Sequence, residues 1–321
     1  MRIFDAAATR SGLPFERLIP ALREMFAQGC VVPLRHSHSI ADASDATDGA
    51  LTSLIMPAWL PGRCYGVKTV NIAPGNARRG LPGLHSTYLL YDAVTGAPLA
   101  WLDGDQITSR RTAAASALAA SWLARPDARH LLVVGAGQVA RLLPDAYRTV
   151  RPIERVTVWA RNPSQARAMV AELCERGWHA RCAEGLEAAA GEADIVSCAT
   201  LATEPILRGR WLRQGSHLDL IGSFTPAMRE ADDDCFAGAA VYVDTDEALA
   251  KSGELLGPMA RGVFGANDVR GTLAHLARGQ AGGRAAAGQR TVFKSVGTAL
   301  EDLAAAMLVY DTVRETGEPP V

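Results

Sequence analysis

Apolar and polar positions change their spacing near residue 129, and this change divides the chain into two kinds of structure. Before it, short alternating runs are separated by turn-forming glycine, proline and asparagine, which is the pattern of antiparallel strands. Two longer segments instead repeat their apolar positions with a helical period or are rich in alanine. The predicted elements are strands at 51–59, 65–71, 86–92 and 98–103 and helices at 15–28 and 108–123.

After residue 129, short and largely apolar strands alternate with amphipathic helices. This alternation predicts a doubly wound parallel sheet of Rossmann type, so the fold class is α/β with an additional α+β domain. The predicted strands are 130–134, 155–160, 193–199, 216–222 and 240–244, and the helices are 138–150, 163–176 and 298–315.

The last helix is separated from the parallel-sheet pattern by a glycine- and alanine-rich stretch at 279–288. We therefore expect the chain to leave a first domain, build the sheet domain and then return. The predicted domains are 1–115, 116–291 and a C-terminal segment, 292–321, that packs back on the first.

Composition changes this picture little but excludes several classes of protein. The net charge of −1 favours neither a nucleic-acid surface nor a membrane surface, and the 48% hydrophobic content is enough for buried cores. Six cysteines form no CxxC pair and no zinc spacing, so free thiols and no metal are expected. Since no signal peptide and no long apolar run is present, we expect a cytoplasmic protein.

The clearest motif is VVGAGQVA at 133–140, which follows an apolar strand and opens a helix. Gly135 permits the tight turn, and Gly137 lets a pyrophosphate approach the backbone. The free N–H groups at the helix start, at Gln138 and Val139, would bind the phosphates. The motif predicts a dinucleotide cofactor.

Arg161 indicates which nicotinamide cofactor is bound. Enzymes that use NAD usually place an acidic residue at the end of the second strand, to bind the ribose 2′-hydroxyl. Here that strand runs into Arg161 and Asn162, and Glu154 lies before the strand, at its opposite end. An arginine suits the 2′-phosphate of NADP, so we predict NADPH, with NADH also possible.

Two basic residues of the first domain stand in unusual places. Lys68 lies inside an apolar strand, where a lysine needs a partner. Arg111 falls near the predicted start of a helix, where a cation opposes the macrodipole. Residue type alone leaves a functional and a structural role equally open for both. Asp219 alternates inside an apolar strand, and we interpret it as a hydrogen-bonded structural residue.

Several motifs in fixed order resemble the ornithine cyclodeaminase/μ-crystallin family along nearly the whole chain. They are VVPLR at 31–35, GVKTVNIAPGN at 66–76, SRRTAA at 109–114, VVGAGQVA at 133–140, CATLATEPIL at 198–207, IGSFTPAMRE at 221–230 and VFKSVGTALEDLAAA at 292–306.

The resemblance implies a homodimer in which the split first domain forms the dimer contact and half of the active cleft. It also implies that Arg35, Lys68 and Arg111 bind a substrate carboxylate, with Lys68 and Arg111 taking part in catalysis. In the same way, the resemblance places Thr112 near a cofactor phosphate. The segments around Thr200 and from Ile221 to Ser223 would face the nicotinamide.

The same resemblance separates two chemistries within the family. Cyclodeaminases carry an aspartate two residues after the glycine at 222, where this chain has Phe224, which can act as neither acid nor base. The motif SFTPxMRE resembles the corresponding segment of the family branch that reduces Δ1-pyrroline-2-carboxylate and Δ1-piperideine-2-carboxylate to L-proline and L-pipecolate. We therefore expect an imine reductase. The alternatives are a cyclodeaminase-type lyase, an alanine dehydrogenase and a non-catalytic NADPH-binding protein of crystallin type.

Overall fold

The structure is a computed structural model that describes residues 1–40 and 51–316. The last five residues of the predicted C-terminal segment lie outside this range. The chain divides into two compact units. The N-terminal unit comprises Met1–Arg111 together with Thr298–Val321, and the central unit comprises Thr112–Gly297.

The N-terminal unit contains a six-stranded sheet in the order β1-β6-β5-β4-β3-β2. Strand β1 runs parallel to β6, and the other neighbouring pairs are antiparallel. Every second residue of β4 to β6 is buried, as expected for a sheet with one covered face. Its elements are β1 (Arg2–Phe4), α1 (Ala6–Ser11), α2 (Phe15–Gln28), β2 (His36–Ser39), β3 (Thr52–Leu60), β4 (Cys64–Ile72), β5 (Leu84–Asp92), β6 (Pro98–Asp103), the start of α3 (Gly104–Leu123), and α10 (Ala299–Thr316).

Helix α10 packs against β3, β4 and β5 and also against α2. Helix α2 buries one apolar stripe that includes Leu18, Leu22 and Met25, and it ends at Gly29, whose φ of 81° favours glycine. Gly66, within the GVK motif, is required by packing because a Cβ there would lie 2.1 Å from the buried Tyr88 hydroxyl oxygen. This glycine therefore positions strand β4, which carries Lys68.

The central unit contains an eight-stranded, entirely parallel sheet in the order β13-β12-β14-β11-β10-β7-β8-β9. The five strands from β12 to β7 in this order are completely buried, as expected where helices cover both faces of a parallel sheet. Its elements are β7 (His130–Val134), α4 (Gln138–Val150), β8 (Arg155–Trp159), α5 (Pro163–Glu175), β9 (His179–Cys182), α6 (Leu186–Glu192), β10 (Ile195–Cys198), β11 (His217–Leu220), β12 (Ala240–Val243), α7 (Ala248–Lys251), α8 (Gly253–Ala260), β13 (Gly271–Thr272), α9 (Leu273–Ala277) and β14 (Thr291–Lys294).

The strand order places a topological switch between β7 and β10. On one side lie β7, β8 and β9 in chain order, and on the other lie β10 and β11. In open parallel sheets, ligands bind beyond the carboxyl ends of the strands at such a switch. The ends of β7, β8, β10 and β11 are therefore where a dinucleotide is expected.

The α/β class predicted from the sequence is confirmed, and two details differ from it. Helix α3 begins at Gly104 rather than at 108, because Asp103 accepts a hydrogen bond from Gln106 N (2.8 Å) and caps the helix. Strand β14 pairs with β11 and β12, so the chain remains in the parallel sheet beyond residue 292. No helix of the described ranges is long and apolar enough to cross a membrane.

Candidate active site

The turn after β7 has the geometry that the GxGxxA motif predicts. Gly135 has a φ of 119°, and a Cβ on it would lie 2.5 Å from the Ala199 carbonyl oxygen. Only glycine therefore fits between the ends of β7 and β10. Ala140 is fully buried, which allows α4 to pack closely on the sheet.

The start of α4 fits a pyrophosphate. Gly137 is the N-cap, and no side-chain hydrogen bond caps the helix. A Cβ on Gly137 would meet nothing within 4 Å, so the space beside this backbone is open. The first-turn N–H groups at Gln138 and Val139 have no helical acceptor and carry the positive end of the helix dipole. These are the groups that would hold the phosphates of a nicotinamide dinucleotide.

Arg161 is exposed in the short loop between β8 and α5. The next residue, Asn162, caps α5 by accepting from Ser164 N at 3.0 Å. Glu154 forms an ion pair with Arg129 at the opposite end of β8, far along the strand from Arg161. The carboxyl end of β8 therefore presents a guanidinium group where an NAD-binding turn has a carboxylate.

The strand ends on the other side of the switch carry Thr200, Ile221 and Ser223. Thr200 is partly exposed, and the Ile221 N–H bonds to the Cys198 carbonyl at 2.9 Å. Ser223 is completely buried, and its hydroxyl donates to the Met228 carbonyl at 2.5 Å. The Ser223 hydroxyl is thus engaged inside the unit, whereas the Ile221 side chain remains partly exposed.

Lys68, Arg111, Glu301 and Asp302 form an ion-pair cluster inside the N-terminal unit. Lys68 Nζ lies 2.7 Å from Asp302 Oδ2, and Arg111 Nε lies 2.9 Å from Asp302 Oδ1. Arg111 Nη1 pairs with Glu301 Oε2 at 2.7 Å, and Lys68 Nζ also donates to Thr108 Oγ1 at 3.2 Å. Asp302 therefore holds the lysine and the arginine side by side.

The fold explains this cluster. Glu301 and Asp302 lie in the first turn of α10, where the helix dipole favours negative charge. The two acids and the two bases are all buried, so each charge requires the opposite charge beside it. Burial lowers the pKa of Lys68 to about 8, against the opposing effect of Asp302. Burial opposes ionisation of Asp302, but Lys68 and Arg111 together lower the pKa of this carboxyl below its ordinary value.

The cluster retains donors for a substrate. Lys68 has a third N–H beyond those directed at Asp302 and Thr108. Within the described part of the chain, no hydrogen bond engages Arg111 Nη2, and 9% of the Arg111 side chain remains exposed. These two groups can together bind a carboxylate. With two positive and two negative members, the cluster is neutral before an anion binds.

Two further residues predicted for the site are Arg35 and Thr112. Arg35 is partly exposed just before edge strand β2, whereas Lys68 and Arg111 bond to Thr108, Glu301 and Asp302. Thr112 is partly buried and follows Arg111 in α3. The roles of Arg35 and Thr112 remain predictions.

One line of sequence reasoning about Arg111 was wrong. Because α3 begins at Gly104, Arg111 lies about two turns inside the helix and does not oppose the dipole at its start. Sequence reasoning also missed Glu301 and Asp302. The sequence does show these two adjacent acids within the otherwise apolar segment at 299–309. Acids buried in such a segment require cationic partners.

Comparisons with known proteins agree with this architecture. The model of the ornithine cyclodeaminase/mu-crystallin family matches residues 13–317. A Δ1-pyrroline-2-carboxylate reductase of Paracoccus denitrificans is 45% identical over 279 residues, covering 85% of this chain and 88% of the relative.

Two solved structures have the same fold. The Δ1-pyrroline-2-carboxylate reductase of Thermococcus litoralis, in complex with NADH and L-proline, gives a TM-score of 0.91 at 32% identity and covers 99% of this chain and 98% of its own. An archaeal alanine dehydrogenase dimer with bound NAD gives a TM-score of 0.89 at 28% identity, covering 99% and 97%. The chain therefore belongs to the ornithine cyclodeaminase/mu-crystallin family.

Proposed function

We propose that this protein reduces a cyclic imine bearing a 2-carboxylate, Δ1-pyrroline-2-carboxylate or Δ1-piperideine-2-carboxylate, to the L-amino acid. The reaction consumes the imine, one reduced nicotinamide and one proton and yields the cyclic amine and the oxidised nicotinamide. The observation that carries the proposal is a buried lysine and arginine with donors still available for a carboxylate, in a chain that also holds a dinucleotide turn. The names of the Paracoccus and Thermococcus relatives support this substrate class.

The residues take the following roles in this proposal. Arg111 and Arg35 bind the substrate carboxylate, since guanidinium groups match its geometry. Lys68 donates to the same carboxylate or gives the proton that the imine nitrogen requires, because its pKa of about 8 keeps it protonated yet acidic near neutral pH. A bound nicotinamide supplies the hydride, and the turn at Gly135–Gln138 with Thr112 holds its phosphates.

The direct test is loss of NADPH absorbance with each of the two cyclic imines, compared with pyruvate plus ammonia and with no acceptor. We expect rapid oxidation with at least one cyclic imine and slow oxidation with pyruvate plus ammonia. The reverse preference would identify an amino-acid dehydrogenase. Tight NADPH binding without any turnover would identify a binding protein.

We predict that the protein does not convert L-ornithine to proline and ammonia at a useful rate. Phe224 is 45% exposed beyond β11, and phenylalanine cannot supply the acid or base that proton transfers at nitrogen need. Such a group contributes about 10²- to 10⁴-fold to a proton transfer. The measurement is ammonia and proline formed from ornithine with NAD. Turnover comparable to imine reduction would show that another residue supplies this group and would favour a lyase.

We predict that NADPH is preferred over NADH because Arg161 follows the carboxyl end of β8, where the ribose 2′-phosphate of NADPH would bind. Hydrogen bonds to charged groups contribute about 1.5–3 kcal/mol, so Arg161→Ala should weaken NADPH binding about tenfold or more. Binding of NADH should hardly change. Arg155→Ala is the matched control, since Arg155 is exposed at the opposite end of the same strand. Equal losses for both cofactors in the Arg161 variant would contradict the assignment.

We predict a homodimer formed through the N-terminal unit. The face of its sheet opposite the buried side chains remains partly exposed and carries three aromatic rings in a row. The ring centroids of Trp59 and Tyr65 are 6.3 Å apart, and those of Tyr65 and Tyr91 are 5.4 Å apart. Light scattering should give twice the 34.0 kDa mass of the chain. Tyr65→Glu should shift the protein toward monomer, whereas Val94→Glu, in the exposed β5–β6 turn, should not. A wild-type mass of one chain at micromolar concentration would refute the dimer.

A further inference from the structure

A second set of buried charges lies in the central unit, and none of its members belongs to the proposed substrate or cofactor contacts. Glu230, Glu254 and Lys294 are each fully buried, and Asp244 is 1% exposed. Burying several charges in one region costs free energy, so the arrangement calls for a reason beyond packing. Glu230 is the member whose contacts lead to the strand ends at the nucleotide switch.

The Glu230 carboxylate joins the segments that follow β10 and β11. Its Oε1 accepts from both the Thr200 N–H and the Thr200 hydroxyl, each at 2.7 Å. Its Oε2 accepts from the Gly222 N–H, also at 2.7 Å. One side chain thus fixes the loop after one strand to the loop after its neighbour.

The geometry leaves these two loops little freedom. A Cβ on Gly222 would lie 1.9 Å from the Thr200 carbonyl oxygen and 2.5 Å from Glu230 Oε1, so the loops are already in direct contact. All three partners of Glu230 are donors, and a carboxylate is the group that accepts with both of its oxygens. Glutamine has the same shape but would direct an NH₂ group at one of these donors.

The surroundings hold Glu230 itself in place. Glu254 accepts from the backbone N–H groups of Glu230, at 2.7 Å, and Ala231, at 2.9 Å. Lys294 lies close enough to supply positive charge, and its Nζ donates to the Leu220 carbonyl at 2.8 Å. Burial raises the pKa of Glu230, whereas Lys294 and the bonds from Thr200 oppose the rise.

We propose that Glu230 is a positioning residue for hydride transfer. Its carboxylate sets the position of Thr200 relative to Gly222, and these two loops hold the nicotinamide ring in the orientation from which the hydride leaves. The proposal rests on the proposed function for the identity of the cofactor. The turn after β7 takes the phosphates and the end of β8 takes the adenosine ribose, which leaves the ends of β10 and β11 for the nicotinamide half.

Glu230→Gln is the primary test. A misplacement of about 1 Å in a reacting pair can lower the rate about 100-fold, so kcat should fall about 10- to 100-fold. The Kd for NADPH should change less than about threefold, because the phosphate contacts are untouched. The isotope effect on kcat with NADPH deuterated at the transferred position should be at least as large as in wild type. A role in folding alone would lower only the fraction of active protein, so kcat per NADPH-binding site would stay at the wild-type value.

Asp219→Asn is the matched control, because Asp219 is an equally buried carboxylate on β11. Its partners are the hydroxyls of Ser116, Tyr147 and Ser197, as expected for the structural role predicted from the sequence. Hydroxyls can turn to accept as well as donate, so an asparagine is tolerated. We expect kcat within about twofold of wild type.

If Glu230→Gln does not fold, a second pair of variants at Thr200 tests the same proposal. Thr200→Val removes the hydroxyl donor and should lower kcat about three- to tenfold, whereas Thr200→Ser keeps the donor and should restore most of the rate. The proposal is overturned where Glu230→Gln lowers kcat no more than Asp219→Asn does, or where its loss lies in NADPH affinity. It is also overturned where Thr200→Val and Thr200→Ser behave alike.

The test of Glu230 does not depend on whether the proposed substrate is correct. A wild-type protein that oxidises NADPH with pyruvate plus ammonia instead of a cyclic imine would disprove that substrate. The same variants would then be measured with pyruvate plus ammonia, and the expected pattern for Glu230 would not change.

Discussion

Lys68→Arg is expected to lower kcat for imine reduction by about 10²- to 10⁴-fold, the usual contribution of a positioned proton donor. Arginine keeps the charge beside Asp302 but does not release a proton near neutral pH. The KM should therefore change much less than kcat. Only three lysines occur in this chain, at 68, 251 and 294, and Lys68 is the one that lies in the ion-pair cluster with Arg111 and Asp302.

The pH profile makes this prediction specific. In wild type, kcat/KM should fall as the pH rises through about 8, because Lys68 loses the proton that it would transfer. This alkaline limb should disappear in Lys68→Arg. Lys251→Arg is the matched control, since Lys251 pairs with Glu247 near the surface, and it should keep both the rate and the limb. An unchanged limb in Lys68→Arg would assign the proton to another group or to the substrate itself.

Asp302→Asn is expected to lower the free energy of unfolding by about 3–5 kcal/mol, the cost of leaving buried charges without their partner. Asp302 faces both Lys68 and Arg111 at hydrogen-bonding distance, so one substitution affects two cations. Without this carboxylate the pKa of Lys68 should fall further, and the alkaline limb of kcat/KM should move to lower pH. Urea unfolding and the pH profile measure the two effects.

Asp311→Asn is the control for this substitution. Asp311 lies on the same helix, but its side chain is 42% exposed and its partner Arg63 is 3.6 Å away, so the expected cost is at most about 1 kcal/mol. The pKa of Asp302 is lower in the folded protein than in the unfolded chain. Its contribution to the free energy of unfolding is therefore present above the ordinary pKa of an aspartate and is lost as the pH falls through the folded pKa. The difference in free energy of unfolding between wild type and Asp302→Asn should therefore become smaller in acid. Equal free energies of unfolding for Asp302→Asn and Asp311→Asn at neutral pH would contradict the buried pairing of Asp302 with Lys68 and Arg111.

Local pattern was sufficient for much of the fold. The helix at 15–28 and the strands at 98–103 and 130–134 were predicted with the bounds that the structure shows. These segments have a clear period or a continuous apolar run, and turn residues mark their ends. Short strands such as β1, β2 and β9 were missed, because three or four residues carry too little periodicity to be recognised.

The sequence by itself determined the dinucleotide turn, since Gly135, Gly137 and Ala140 act through backbone geometry close to where they stand in the chain. It also marked Lys68 as a residue that needs a partner. Only the tertiary structure decided which partner, because Asp302 lies 234 residues further along the chain (302 − 68) on a helix that packs against β4. The same holds for Glu230, whose carboxylate joins two strand ends that the sheet brings together. Hydrogen bonds and ion pairs depend on distances of about 3 Å between side chains, and sequence order does not specify such distances for residues on different elements.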